Sequence, residues 1–465
     1  MRRLVLTMAA FALFSAACGS KVDEEVRGEA VERENANESQ AGALDATAAA
    51  GEFPMVGTHE LKCSPGDGDN TDPGIQGVTA DTITIGVMAD ITGPKPGLGQ
   101  PQWDAMDAFV ALCNEHGGIN GRQLELVKID SALFDSAGAA AQACESVFVT
   151  VGDGVVFDNE SAQVQLDCQQ VSIPGWSANP EKSRAEYTYF PMPNTVTEWM
   201  YGGARYHAGT NPEAVKKAAI FYIPLGTTQL NHDQVVEANE SAGFEYISDR
   251  AINVVETEWS SLIQEIRDKG AEYVYVVADV AATAQMLNAM AEEGWKPEIV
   301  DGGQQIYDPD LIEIAGDAAE GTFAVSTTFP FEEATEGNAI QVYLDYIAEV
   351  SEDAKPSALG VQAFSAGMLF AEAMHALGDE ITMDGLAEAL ENITEWDGGG
   401  MHVPTNPGGF EGSECFMIMR VENGEFVRHF PATYDEGDVN GFSCSPENRY
   451  ELQELEVAEG AKLPE

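Results

Sequence analysis

Seven histidines, seven cysteines and 78 acidic side chains could supply catalysis or metal binding, but their spacing in this chain of 465 residues supports neither. There is no G-x-S-x-G turn to hold a serine nucleophile, no P-loop to cradle phosphates, and no H-E-x-x-H pair of zinc ligands. His59, His116, His207, His232, His375, His402 and His429 lie scattered, none one helical turn from another. They are expected to be surface or capping residues. Asp67, Asp69 and Asp72 lie in the turn-rich run Gly66–Gly77, but the closing glutamate of a calcium loop is missing, so a solvated acidic turn is the better reading. No metal and no cofactor is expected. Carboxylates are so numerous that a chance pair in a cleft would mean little.

The cysteines point to export rather than to redox chemistry. Arg2 and Arg3 precede the apolar run Leu4–Phe14, which is too short to span a bilayer. Ser15-Ala16-Ala17 then places small residues directly before Cys18, as in a bacterial lipobox, although Ser15 departs from the usual leucine. Residues 1–17 therefore read as a signal peptide and Cys18 as the lipidated first residue, with a plain signal peptide cleaved near Ala17 as the alternative. A diacyl anchor has two chains, enough for stable attachment. The other six, Cys63, Cys113, Cys144, Cys168, Cys415 and Cys444, are an even number in an exported chain, which favours disulfides. Six cysteines allow fifteen pairings. Local placement prefers Cys415 with Cys444, flanking the last strands, and Cys144 with Cys168, on neighbouring helices. Cys63 would then tie the linker to Cys113. No C-x-x-C occurs.

The elements that must position these residues begin with Ile83–Asp130. Ile83–Ala89 is short, apolar and β-branched, as a buried strand is. A loop dense in Gly93, Pro94, Pro96, Gly97 and Gly99 follows. Trp103, Met106, Phe109, Val110 and Cys113 then recur at helical spacing until Gly117 and Gly118, and Leu124–Ile129 alternates as a second strand. This is a βαβ unit with an open first loop. Its IGV strand, its ITGP turn and the GGINGR run at Gly117–Arg122 resemble the opening of the leucine/isoleucine/valine-binding protein family, the type I substrate-binding proteins of ABC importers. The AGDAAEG run at Ala315–Gly321 is similar to a family motif too.

Strand–helix alternation continues, the pattern of parallel sheets covered by helices. Ser136–Thr150 reads as a helix, Gly154–Phe157 as a strand, Ala162–Gln170 as a helix, and Ala218–Ile223 and Ala271–Ala278 as strong strands. The family resemblance implies an α/β clamshell of two Rossmann-like lobes joined by three crossings, near Asn194, Thr328 and His402. Residues 18–77 are expected to form a lipidated flexible tether and linker, being acidic and poor in large apolar residues. Lobe 1 would take residues 78–193 and 327–400, and lobe 2 residues 194–326 and 401–465 with the C-terminal tail.

Ligands of open α/β sheets sit at the carboxyl ends of the strands, which in two facing lobes line one cleft. The first loop offers Leu98 and Gln100. Leu98 stands where the family often has an aromatic ring. The loop Asp158–Ser161 offers Asn159, Glu160 and Ser161. Ser161 and Ser177 match hydroxyls that in the family hold an amino acid's carboxylate, or they cap helices. Trp176 either lines the cleft or packs beneath its loop. In lobe 2, Leu225-Gly226 replaces the family's Tyr-Gly and is followed by Thr227 and Thr228. Ala282 occupies the place of the family's ammonium-binding glutamate. Asp279 could serve instead, and Gln304, Gln305 and Tyr307 could add hydrogen bonds.

A formal net charge of −55 argues against nucleic acid and against a basic membrane-surface patch. The resemblance implies a monomeric, lipid-anchored, extracytoplasmic or periplasmic solute-binding protein. It would capture a small polar organic ligand (amino acid, amide or related compound) and deliver it to an ABC transporter permease. It would not be an enzyme, and the missing acidic partner at Ala282 implies weak binding of leucine, isoleucine and valine. Two other readings are a ligand-sensing module for a receptor kinase and a lipid-anchored hydrolase.

Overall fold

The computed structural model describes residues 53–453 except 67, 69, 178 and 194–196. The leader, Cys18, the tether as far as Glu52, Asp67, Asp69 and Asn194 lie outside the described residues. Among those described, no helix is long and apolar enough to cross a membrane.

Two sheets organise the chain. The first has four parallel strands in the order Gln123–Asp130, Thr82–Ala89, Val149–Val151, Ser172–Ile173. Its central strand, Thr82–Ala89, is nearly all buried, as expected of an apolar β-branched run with helices on both faces. Helix Gln100–Glu115 carries Pro101 in its first turn, where the missing N–H costs nothing, and buries Met106, Phe109, Leu112 and Cys113. Helices Ala339–Val350 and Ala358–Leu377 return from far along the sequence to pack on it. Phe109 and Phe364 meet edge to face at 5.9 Å.

The second sheet holds Tyr246–Ala251, Ala218–Tyr222, Tyr273–Val277, Ile299–Asp301 and Phe323–Ser326 in parallel. The hairpin Cys415–Glu422 with Glu425–Phe430 adds to it antiparallel. Each sheet with its helices forms one lobe, the two-lobed α/β arrangement expected from the sequence. The segments that pass between the lobes run side by side. Thr328 bridges to His402, Phe329 N donates to Met401 O at 2.8 Å, and Thr405 Oγ1 donates to Pro191 O at 2.6 Å.

Four expectations need correction. The Ala-rich helix runs Ser136–Ser146, not to Thr150, because Val149–Val151 is apolar and β-branched and pairs as the third strand instead. Gly154–Phe157 is therefore not a strand. The next helix starts at Asp158, so Asn159, Glu160 and Ser161 sit in its first turn rather than in a loop. The linker is not flexible as far as residue 77: Val56, Leu61 and Cys63 are fully buried, and Thr58 N donates to Gly399 O at 3.1 Å. A few apolar residues dock there although the segment as a whole is polar.

The GGINGR run is the seam for this docking. Gly117, Gly118 and Gly121 all have positive φ, and a Cβ on Gly117 or Gly121 would strike the backbone of Pro65 at 2.7 or 2.4 Å. Ser64 N donates to Gly118 O, and Gly121 N to Ser64 O. Arg122, almost fully buried, donates to the carbonyls of Thr79 and Thr71 and to Asp379 Oδ1. All three preferred disulfides are present: Cys63–Cys113, Cys144–Cys168 and Cys415–Cys444, with Cα–Cα distances of 5.2, 6.2 and 4.1 Å.

Candidate functional site

A cavity of about 720 Å³ lies between the lobes, lined by residues from both sheets' carboxyl ends and from the crossings. Of the sequence-predicted residues, Leu98, Gln100, Trp176, Ser177, Thr227, Asp279, Gln304 and Gln305 line it. Asn159, Glu160, Ser161 and Tyr307 do not. Ser161 Oγ is buried and donates to Asp158 O at 2.8 Å within its own helix. Glu160 is exposed. Tyr307 is buried on Phe331, and its hydroxyl donates to Glu332 Oε2 at 2.7 Å.

On the first lobe, the loop after Thr82–Ala89 is anchored by Asp90. Its carboxylate accepts from Ser131 Oγ, from Leu133 N at 3.1 Å and from Val156 N at 2.8 Å, while burial pushes its pKa up. Trp176 lies against Gly154, where a Cβ would stand 2.3 Å from the indole nitrogen. The Gln102 amide satisfies its neighbours when its oxygen accepts from that indole N–H at 2.7 Å and its nitrogen donates to Gly99 O at 3.1 Å. Trp176 thus both lines the cavity and is held from beneath. Ser177 is buried and donates to Asp158 Oδ2 at 2.6 Å, so its hydroxyl proton is already committed.

On the second lobe, Asp279 caps helix Val280–Glu292 by accepting from Ala282 N at 3.1 Å. Its other oxygen accepts from Lys95 Nζ of the first lobe at 2.6 Å, with the two side chains only 19% and 15% exposed. Sequence reasoning missed Lys95, because nothing in a Gly/Pro-rich turn announces a partner 184 residues away. A second ion pair also crosses the cleft: Lys355 Nζ donates to Asp310 Oδ1 and Glu313 Oε2, both at 2.6 Å. Asp308, which caps helix Pro309–Ala315, has its pKa raised to about 6 by burial. Asp301 accepts from Tyr273 OH at 3.2 Å and from Gly303 N at 2.9 Å.

Three histidines depart from the surface placement expected of them: His207, His232 and His402 are buried. His402 sits at the crossings. Its Nδ1 donates to Val403 O at 2.7 Å, leaving Nε2 to accept from Ser365 Oγ at 2.9 Å, while Ser365 accepts from Trp396 Nε1 at 2.9 Å. Burial lowers the His402 pKa to about 4. This Ser–His pair has no carboxylate at Nδ1, neither side chain is accessible, and neither lines the cavity. It stiffens the crossings and offers a substrate nothing. Among the described residues, no group of three or more His, Cys, Asp or Glu could hold a metal ion.

Comparison with known proteins agrees with this geometry. The chain is 26% identical over 251 residues to the Leu/Ile/Val-binding protein homolog 2 of Brucella abortus, covering 52% of this chain and 65% of that relative, just under two thirds of its length. It is 25% identical over 351 residues to the leucine-, isoleucine-, valine-, threonine- and alanine-binding protein of Pseudomonas aeruginosa, covering 72% of this chain and 87% of the relative. Among solved structures it is similar in fold to the fatty acid ABC transporter substrate-binding protein from Thermomonospora curvata. That similarity has a TM-score of 0.67 at 18% identity and covers 83% of this chain and 97% of that one. The periplasmic binding protein family model matches residues 82–425, and with two lobes closing on one cleft, the chain belongs to that family.

Proposed function

We propose that this protein captures a small polar organic molecule between its lobes and presents the closed form to the permease of an ABC importer. The observation that carries this is the cleft itself: a cavity of about 720 Å³ whose walls come from both lobes, with Lys95 and Asp279 meeting across it. A ligand shifts the lobes towards the closed form only by touching both walls. The names of the relatives, one a leucine-, isoleucine-, valine-, threonine- and alanine-binding protein and one a fatty acid ABC transporter substrate-binding protein, fit solute capture and disagree about the solute. In this reading Cys18 carries a lipid that holds a monomer on the extracytoplasmic face. Residues 78–193 and 327–400 form lobe 1, and residues 194–326 and 401–465 form lobe 2 with the tail. Leu98, Gln100, Trp176, Thr227 and Gln304 contact the ligand.

Asp279 is neutralised by Lys95, and Ala282 offers no carboxylate, so an amino acid's ammonium has no acidic partner at this end of the second lobe. Leucine, isoleucine and valine are expected to bind weakly. Native mass spectrometry of gently purified protein tests the proposal. A bound small molecule whose removal opens the lobes in small-angle scattering supports it. Protein that neither carries nor responds to any solute in a metabolite extract refutes it.

A further inference from the structure

Asp308 stands at the seam between the lobes. It caps helix Pro309–Ala315 of the second lobe, its Oδ1 accepting from Asp310 N at 2.9 Å, and it lines the cavity. In the first turns of that helix Asp310 and Glu313 are both held at 2.6 Å by Lys355 of the first lobe. Tyr343 is fully buried on helix Ala339–Val350, which packs on the first lobe's helix Gln100–Glu115. Burial first, and then the charges of Asp308 and Asp104, push the Tyr343 hydroxyl up. Asp104 belongs to helix Gln100–Glu115, accepts from Gln100 Nε2 at 2.7 Å, and is itself pushed up by burial. Carboxyl groups from opposite lobes therefore converge on one buried phenol.

The positive charge at this seam is insufficient. The ammonium that acts on Asp308 is Lys355, which two other carboxylates already share. Asp353, on the loop that carries Lys355, adds another carboxylate to the lining. The remaining charged groups on the neighbouring elements are taken or distant. Glu332 accepts from Tyr307 OH at 2.7 Å, and Asp279 holds Lys95. Asp345 and Glu349 are exposed, and helix Ala358–Leu377 has no charged residue before Glu372. Asp317 follows the far end of Asp308's own helix. Glu292 ends helix Val280–Glu292, one turn beyond the Asn288 that donates to Ile314 O.

Closing the lobes takes water from Asp308 and brings it towards like charges, and both effects favour the neutral acid. Opening the lobes returns it to water. Burial holds its pKa at about 6 in the closed form, against an ordinary 3.8, although the bond from Asp310 N and the charge of Lys355 pull it down. Well above pH 6 the group is ionised in both forms, and pH has no leverage through it. Between 6 and 4 the closed form holds a proton that the open form releases, so closure is favoured progressively as the pH falls.

We propose that Asp308 is a proton switch for closure: the closed form takes up a proton there from the medium, so mild acid shuts the lobes and tightens the grip on the solute. This rests on the reading of two lobes that open and close, and not on the identity of the solute.

The test is small-angle scattering on the full-length chain in contrast-matched detergent, stripped of solute, at pH 7.5 and pH 5. The wild type should be narrower at pH 5, with its closed-to-open ratio raised about tenfold. Lys95→Ala, which biases the particle towards the open form, should show the same rise from a more open start. Asp308→Asn keeps a capping oxygen and so the helix end. It should already be narrow at pH 7.5 and lose most of the response to acid. A Lys95→Ala protein that is open and indifferent to pH, or an Asp308→Asn protein that responds to acid as the wild type does, would overturn the switch and leave solute capture standing. A particle of one width in every variant at both pH values would sink the hinged reading with it.

Discussion

The crossings between the lobes contain a group that acid should unlock. His402 is fully buried and neutral, held between Ser365 Oγ and Val403 O, and its pKa is depressed to about 4 by loss of hydration. In the unfolded chain it would titrate near the ordinary histidine value of 6.5. Between those two values the unfolded state binds a proton that the folded state refuses. Stability should therefore rise with pH across this window and be lost as the medium is acidified from 6.5 towards 4. At about 1.4 kcal/mol per pH unit, the gap is worth about 3 kcal/mol. Carboxyl groups with raised pKa, such as Asp308 and Asp90, act in the opposite direction, because burial makes their folded state bind protons more readily. A difference measurement cancels them. Urea unfolding of wild type and of His402→Gln, which keeps a donor and an acceptor but does not titrate, should give parallel stabilities above pH 7. Below that the wild type should lose about 3 kcal/mol relative to the variant by pH 4. Curves that stay parallel over the whole range would refute the argument, since they would mean that His402 carries its proton in the fold or is reached by water.

Other outcomes follow from the same geometry. Lys95→Ala or Asp279→Ala removes a pair intermediate between exposed and buried, worth about 1–3 kcal/mol to the closed form. Each variant should scatter as a wider, more open particle than wild type, and unchanged scattering would show that other contacts set the closure. Peptide mapping without reduction should find no free thiol among the six bridged cysteines. Replacing Cys415 and Cys444 by serine should cost about 3 kcal/mol in unfolding experiments, as expected for a loop of this size. Cys18→Ala should release the protein from membranes in a fractionation assay, and a mutant that still sediments with them after a salt wash would contradict the lipid anchor.

Much of the fold was legible because its signals are local. The β-branched strands, the Gly-ended helices and the GGINGR seam each occupy a few consecutive residues, and parallel sheets repeat them. The cysteine pairs could be ranked once neighbouring helices and strands had been placed. The cleft was half legible: loops that follow strands supplied Trp176, Thr227 and Gln304 to the same cavity. Ser161 failed because the helix starts at Asp158 and turns its hydroxyl inward. Lys95 and Asp279 meet only through the closure of the lobes, a relation that no local pattern carries.

The stapled N-terminal segment determines where force would enter the molecule. Residues 53–66 are fastened to one jaw only, by Cys63–Cys113 and by the backbone bonds at Ser64. Were the chain ahead of it held at a surface, a pull would enter through this segment and reach helix Gln100–Glu115 and the lobe it belongs to. The first lobe behaves as the mounted half of a vice and the second as the free half. In the lipid-anchored reading proposed above, tension from the N-terminal side would load the first lobe and leave the cleft between the lobes out of the line of force.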